Sequence, residues 1–372
     1  MQRLRFKADD GSDFPDWEKK KLEDVVEFLD GQRKPLEAGQ RVAGKYPYYG
    51  ASGIIDYVED YIFDEELILL SEDGANILDR NYRVCFLAKG KYWVNNHAHV
   101  LKAMDGNVNG FICEQLETFD YRKYNSGGAQ PKLNQATCRA IIMNMPSLPE
   151  QQKIAEFLST IDTVIEKQKE TVSAWEERKK GVMQKLFSQE VRFKADDGSE
   201  FPEWEEKNVE DVCSVSTGKG NTQDKVDTGA YRFYVRSPII EHSDSYLFDE
   251  EAVITVGDGV GTGKVFHYVK GKYNLHQRCY RMYDFRDVTG KYFYYFFSTN
   301  FYRRVKSMSA KTSVDSVRME MITKMKILVP CLAEQQKIAD CLSSLDEVIE
   351  KQKATLAAWE ELKKGLLQQM FV

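Results

Sequence analysis

No run of 18 consecutive apolar residues occurs in the 372-residue chain, so no segment suits a membrane-spanning helix. The opening Met1-Gln-Arg-Leu-Arg-Phe-Lys7 has no apolar signal region, which points to a cytoplasmic protein. Cysteines are scattered rather than clustered. Cys85, Cys113, Cys138, Cys213, Cys279, Cys331 and Cys341 are odd in number and form no CxxC, which speaks against a disulfide framework or zinc site and for reduced, mostly buried thiols. An excess of positive charge is missing too. The net charge of −6 argues mildly against a polyanionic partner, although distribution matters more than the sum. Between 300 and 326 the chain carries Arg303, Arg304, Lys306, Lys311, Arg318, Lys324 and Lys326 against Asp315 and Glu320, a solvated basic face or an anion-binding one.

What is present is a duplication. Residues 5–18, RFKADDGSDFPDWE, return at 192–205 as RFKADDGSEFPEWE, an offset of 187. QQKIA at 151–155 returns at 335–339, an offset of 184, and Ile165–Lys169 and Trp175–Glu177 return as Ile349–Lys353 and Trp359–Glu361. A period this long is a duplicated half, not a solenoid, and implies pseudo-two-fold symmetry with two similar working ends. Each copy opens on a turn-rich arm anchored by Phe6, Phe14 and Trp17, or by Phe193, Phe201 and Trp204. A globular region follows, 21–146 and 208–330, where the copies have diverged. Landmarks persist: Tyr61–Glu66 against Tyr246–Glu251, turns at Glu72-Asp73-Gly74 and Gly257-Asp258-Gly259, and Gly90-Lys-Tyr92 against Gly271-Lys-Tyr273. Short β-branched and aromatic runs broken by Gly and Asp read as strands and 292–306 as helix, so each region is a mixed α+β domain.

The third part of each copy is a long helix. Apolar residues at Ile154, Leu158, Ile161, Ile165, Val172, Trp175, Val182 and Leu186 alternate spacings of four and three, a heptad seam interrupted at Gln168 and Lys179. The second seam, Ile338, Leu342, Leu345, Ile349, Leu356, Trp359, Leu366 and Met370, is interrupted at the equivalent Gln352 and Lys363. Ser147-Leu-Pro-Glu150 supplies an expected cap, helix-start proline and capping-box glutamate. Cys331 replaces the serine in the second copy, where the helix start is expected to fray more. The domains are thus 1–147, a first globular domain with its arm; 148–188, a first long helix; 189–330, a second globular domain; and 331–372, a second long helix. Connectivity favours an antiparallel two-helix coiled coil, a rod about 58 Å long at 1.5 Å per residue, with two heads held apart. Gln168 and Gln352 fall near its middle, trading stability for register, and the chain ends are expected to lie side by side.

No catalytic constellation emerges. Pro15-Asp16-Trp17-Glu18-Lys19-Lys20 superficially spells a nuclease PD…ExK pattern, but its acidic elements are too close to flank a metal on neighbouring strands. Asp258-Gly-Val-Gly-Thr-Gly-Lys264-Val265 lacks the first glycine and the magnesium-binding hydroxyl of a phosphate loop. No Asn-Pro-Pro-aromatic methylation motif occurs, the acidic runs at 64–66 and 249–251 read as solvated turns, and His97 and His99 lack a third metal ligand.

The arrangement resembles the specificity subunit of type I restriction–modification enzymes over the whole chain. The residues that carry the resemblance are the FP-x-W arms, Leu148-Pro-Glu-Gln-Gln-Lys-Ile-Ala155, Leu332-Ala-Glu-Gln-Gln-Lys-Ile-Ala339, the Ile-Asp162 and Leu-Asp346 steps and Lys-Gly at 180–181 and 364–365. The resemblance implies two target recognition domains that read a bipartite site in double-stranded DNA, and helices that bind two methyltransferase subunits. Nuclease and translocase subunits would join the full complex. It implies a chain that is non-catalytic alone and binds no cofactor or metal, its partners using S-adenosylmethionine, ATP and magnesium.

Reading base edges calls for Arg, Lys, Asn, Gln, Ser or Thr on exposed loops, with aromatic or glycine surfaces for close approach. In the first domain the candidates are Gln32, Arg33 and Lys34, an aromatic loop at Tyr46, Tyr48 and Tyr49, Asn95 and Asn96, and Gln130 and Lys132. In the second they are Lys219, Asn221, Tyr234, Arg236, Ser237, Gln277, Arg278, Lys311, Thr312 and Ser313. Each of these also suits a merely solvated surface. The rival class is a scaffold of two ligand-binding heads on a coiled-coil spacer, without DNA.

Overall fold

The computed structural model describes residues 4–259, 261–308 and 316–371. The chain divides into two compact units, Met1–Glu170 with Ala354–Val372, and Thr171–Lys353. The spacer helices Leu148–Phe187 and Leu332–Phe371 each begin in one unit and end in the other. No helix among the described residues is long and apolar enough to cross a membrane.

The first unit closes its base with an antiparallel ribbon of Glu18–Lys21 on Ile142–Met145. Above it, one four-stranded sheet runs in the order Val26–Phe28, Ala98–Ala103, Leu67–Ser71, Cys85–Ala88. A second runs Gly53–Val58, Ala43–Gly50, Lys91–Val94, Phe63–Asp64. In Leu67–Ser71 every residue is buried, because its two faces feed different cores. Ile68 and Leu70 join the core that reaches Phe111 and Ile154, whereas Leu67 and Leu69 join Phe63, Tyr92 and Val94. This is the period-two logic of a strand covered on both sides.

The second unit repeats the ribbon, with Glu205–Asn208 on Lys326–Val329, and the strand order, but as one six-stranded sheet: Ser214–Thr217, Cys279–Tyr283, Phe248–Val256, Phe266–Leu275, Tyr231–Tyr234, Ile240–Ser243. Phe248–Val256 and Phe266–Leu275 run unbroken here. Their counterparts in the first unit are each interrupted, at Glu65-Glu66 and at Lys89-Gly90, splitting one sheet into two. Both units keep the same mixed pairing, Tyr48 parallel to Trp93 and Arg232 parallel to Tyr273.

The first turn of each spacer helix is a clamp. Glu150 is fully buried; Arg5 donates Nε to its Oε1 at 3.1 Å and Nη2 to its Oε2 at 2.8 Å, and the Trp17 indole donates to Oε2 at 3.1 Å. Glu334 is held identically by Arg192, at 3.1 and 2.9 Å, and by Trp204 at 2.9 Å. One residue on, Gln151 accepts the Val108 N–H at 3.0 Å and Gln335 accepts the Thr289 N–H at 2.8 Å, fixing the starts of helices Asn109–Glu117 and Gly290–Met308. Lys153 and Lys337 tie back the arm turns by donating to the carbonyls of Lys7 and Lys194, both at 2.9 Å. The expected capping box is therefore wrong. Glu150 serves the arm, and the Ser147 hydroxyl is buried with no hydrogen-bond partner. Cys331 accordingly costs nothing as a cap, and the first turns close alike through Gln151 N–H to Ser147 O and Gln335 N–H to Cys331 O, both 3.0 Å.

Within each unit, ion pairs show the two helices running antiparallel. Asp162 meets Lys363 at 2.6 Å and Lys169 meets Glu360 at 3.9 Å in the first; Lys179 meets Asp346, and Glu176 meets Lys353 at 2.8 Å, in the second. The seam residues are all buried or half-buried, and Ile154, Leu158, Ile338 and Leu342 belong to the cores of the domains themselves. The lysines that interrupt the seam have partners on the globular domains. Lys363 reaches Glu114 at 3.2 Å, itself bonded to Arg83 at 2.6 Å. Lys179 lies over the Tyr295 ring at 5.2 Å, whose hydroxyl donates to Asp346 at 2.7 Å. Near the chain ends, Leu4 N–H bonds Gln369 O at 3.0 Å, the counterpart of Val191 N–H to Lys185 O at 3.3 Å.

Two outcomes test this account. Glu334→Ala leaves a guanidinium and an indole N–H without their acceptor and is expected to lose about 3 kcal/mol in chemical denaturation; a loss under 1 kcal/mol contradicts the clamp. Gly181 and Gly365 have open space where a Cβ would stand, so Gly181→Ala and Gly365→Ala should each add about 1 kcal/mol.

Candidate nucleic-acid interface

One backbone frame recurs at the same end of both sheets. Asn95 N–H bonds Tyr49 O and His276 N–H bonds Tyr234 O, each at 3.0 Å. Glu72 N–H bonds His97 O and Gly257 N–H bonds Arg278 O, each at 2.9 Å. Leu133 N–H bonds Glu72 O and Val317 N–H bonds Gly257 O, each at 2.7 Å. These bonds bring together a strand end, a turn and a returning loop in each domain, and most of the polar candidates sit on them.

In the second domain the convergence is open to solvent. Lys219, Asn221, Arg236, Gln277 and Arg278 are exposed, and Ser237 is half-buried with its hydroxyl donating to Ile239 O. Gln277 donates to Asn221 at 2.5 Å. Asp258 lies between Arg236, at 3.4 Å, and Arg278, at 3.8 Å. The loop carrying Lys219 hugs the strand end because Gly218 has no side chain; a Cβ there would stand 2.1 Å from Leu275 O. Burial and the neighbouring Arg236 hold His276 below the usual imidazole value, so it stays neutral beneath the cations. Thr217, Asp258, Gln277, Arg278, Tyr280 and Ser316 edge a hollow of about 370 Å³. Lys311, Thr312 and Ser313 lie outside the described residues.

In the first domain the same end is more enclosed. Gln32, Lys34, Asn96, Gln130 and Lys132 are exposed. Arg33 is committed inward, bonding Glu72 Oε2 and Ala98 O at 2.7 Å each, and Lys132 meets Glu72 at 3.5 Å. Asn95 is buried and accepts the His97 N–H. Beneath them, His99 is buried with Nδ1 on Asp30 at 2.7 Å and Nε2 on Leu133 O at 2.8 Å. Burial alone would pull His99 down, but the Asp30 carboxylate together with the neighbouring Cys138 outweighs it and raises the pKa to about 10.

Three expectations need correcting. Tyr46, Tyr48 and Tyr49 form no loop: they lie on strand Ala43–Gly50, which pairs with Gly53–Val58. Tyr48 is buried, its hydroxyl accepting Leu36 N–H at 2.9 Å, and Tyr49 packs on Tyr92 and Phe86. Tyr234 is buried against Tyr273 and His267. Among the described residues of the 300–326 stretch, Arg304, Lys324 and Lys326 do not make a free basic face, since Arg304 bonds Met321 O, Lys324 pairs with Glu210 and Lys326 with Glu206. The frame also exposes what residue chemistry missed. Asp73, whose two oxygens are each 2.9 Å from His97 Nδ1, occupies the position of Asp258. The paired Asp-Gly turns were the available signal.

The sequence profile of the type I restriction modification DNA specificity domain matches residues 15–173 and 202–358. A Methanocaldococcus jannaschii type I restriction enzyme specificity subunit is 22% identical, over 95% of this chain and 91% of its own. A Haemophilus influenzae protein named as a type I specificity subunit is 35% identical over 142 residues, 38% of this chain and 36% of that one. So the chain aligns with about a third of that relative's length. The crystal structure of the S subunit of a type I restriction-modification system from M. genitalium superposes with a TM-score of 0.68 at 13% identity, covering 100% of this chain and 99% of that one, and shares the fold.

The His99–Asp30 pair sets a pH dependence. With its folded pKa raised above the unfolded value, His99 contributes stability that is fully present below about pH 6.5 and is lost as pH rises through about 10. The urea midpoint of the wild-type chain should fall across that window and that of His99→Gln should fall less; parallel slopes would contradict the pairing.

Proposed function

Because the chain belongs to the type I restriction modification DNA specificity family, we propose that it is the sequence-reading subunit of a restriction–modification complex, each domain reading one half of a bipartite site in double-stranded DNA. The observation that carries this reading is the recurrence of one backbone frame with different polar side chains in the two domains. The Lys219, Asn221, Arg236, Gln277, Arg278 cluster faces the solvent in one. The Gln32, Lys34, Asn96, Gln130, Lys132 set does so in the other. Two different half-sites call for that combination of a common frame and divergent side chains.

The paired spacer helices set the distance between half-sites and carry two methyltransferase subunits, with nuclease and translocase subunits joining in the complete enzyme. The chain does no chemistry of its own. S-adenosylmethionine, ATP and magnesium belong to its partners, and the complex works in the cytoplasm, where the DNA is.

The test is to co-express the chain with its methyltransferase partner and sequence the methylated adenines. Two short motifs separated by a fixed unread gap are expected; a contiguous motif, or none, refutes the reading. Deleting seven residues from the middle of each helix, 165–171 and 349–355, shortens the spacer by about 10 Å. At 3.4 Å per base pair the gap should shrink by about three base pairs while both half-sites persist. An unchanged gap removes the spacer role.

A further inference from the structure

The frame shared by the two domains carries an aspartate at one fixed point and a different nitrogen-bearing side chain beside it in each copy. Asp73 and Asp258 both follow the buried central strand, both precede a glycine of positive φ, and both sit on a turn whose N–H bonds a carbonyl, that of His97 in one domain and of Arg278 in the other. In the first domain both Asp73 oxygens lie 2.9 Å from His97 Nδ1, and the ring is half exposed. In the second, Asp258 faces Arg236 Nη1 at 3.4 Å with one oxygen and Arg278 Nε at 3.8 Å with the other. The Arg278 side chain is 66% exposed. Among the described residues neither His97 Nε2 nor the Arg278 Nη pair makes a hydrogen bond or ion pair, so these ends remain available.

A carboxylate at a surface that meets phosphates is electrostatically unfavourable unless it does something there. Both aspartates are only partly exposed and turn their oxygens to neighbouring side chains, Asp73 to His97 and Asp258 to Arg236 and Arg278. We propose that Asp73 and Asp258 are positioning residues of the two reading surfaces, each aiming a neighbouring nitrogen-bearing side chain at a base edge, with the exchange of His97 for Arg278 giving the halves different preferences. An arginine fork matches guanine O6 and N7, and an imidazole offers a single hydrogen bond, so Arg278 reads a guanine and His97 a less exclusive position. This rests on the proposed function.

The experiment uses the chain with its methyltransferase partner and reads methylated motifs. Arg278→Ala should relax one position of the second half-site by about tenfold or more and leave the first half-site intact. Asp258→Asn should relax the same position, and the double variant should be no more relaxed than Arg278→Ala alone, because the aspartate acts through the arginine. Asp73→Asn and His97→Ala should repeat this in the first half-site, which keeps the test alive if an Asp258 variant fails to assemble. If the Asp→Asn variants keep the wild-type motif, or lower methylation evenly at every position, the positioning role is wrong. A wild-type chain that yields no bipartite motif overturns the functional reading instead.

Discussion

A carboxylate buried in the first turn of a helix must find hydrogen-bond donors or be protonated, and each spacer helix of this chain places one there. Glu150 and Glu334 take three bonds each from an arginine and a tryptophan of the preceding arm. The helical step of about 100° then sends the following residues in different directions. Gln151 and Gln335 grip the start of the recognition helix, and Lys153 and Lys337 grip the arm. One turn thereby joins arm, domain and spacer. That explains why the arm and the helix start are both faithfully repeated although they lie far apart in the sequence. Neither can change without stranding a buried charge.

The sheets follow the opposite logic. Their frame is made of backbone hydrogen bonds, which any side chain can form, so the two copies keep strand order and turn geometry while their surfaces diverge. The pattern demanded from side chains is mainly apolar alternation: Ile68 and Leu70 on one face, Leu67 and Leu69 on the other. Val253 and Ile254 divide in the same way in the second unit. A surface built on such a frame can be altered residue by residue with small consequences for folding. This suits the proposed reading of two different half-sites.

The duplication, the heptad seams and the mixed class of the domains were legible because each is a periodic signal. Strand order was not, since it depends on pairings between residues far apart in the chain. Tyr46, Tyr48 and Tyr49 read as a loop because Pro47 and Gly50 punctuate them, whereas the neighbouring strand Gly53–Val58 imposes extended pairing. Ser147 read as a cap from local pattern alone, and the distant Arg5 and Trp17 had already claimed the glutamate that the capping box needed. Arg33 and Asn95 were singled out by chemistry but are engaged by Glu72 and by the His97 N–H. The exposed candidates Lys219, Asn221, Arg236, Gln277 and Arg278 do come together, because they follow strand ends that the frame aligns.

The interruptions of the seam obey the same accounting of charge. A lysine at a heptad core position is costly unless its ammonium is paired, and the pairing can specify register. Lys363 meets Asp162 on the opposing helix and Glu114 on the recognition helix; the second carboxylate is balanced by Arg83. Lys179 meets Asp346, and the place of Glu114 is taken by Tyr295, whose phenol is pushed up by burial and by Asp346 and so stays neutral. No residue equivalent to Arg83 is then needed. Both clusters sum to zero formal charge by different routes. Each lets one ammonium fix two things at once: the register of the spacer pair and the seat of the recognition helix upon it. A shift of the helices by one heptad would strand the lysine from its aspartate and its domain partner together. The polar positions in the seam therefore act as register marks, and the apolar ones supply the adhesion that those marks align.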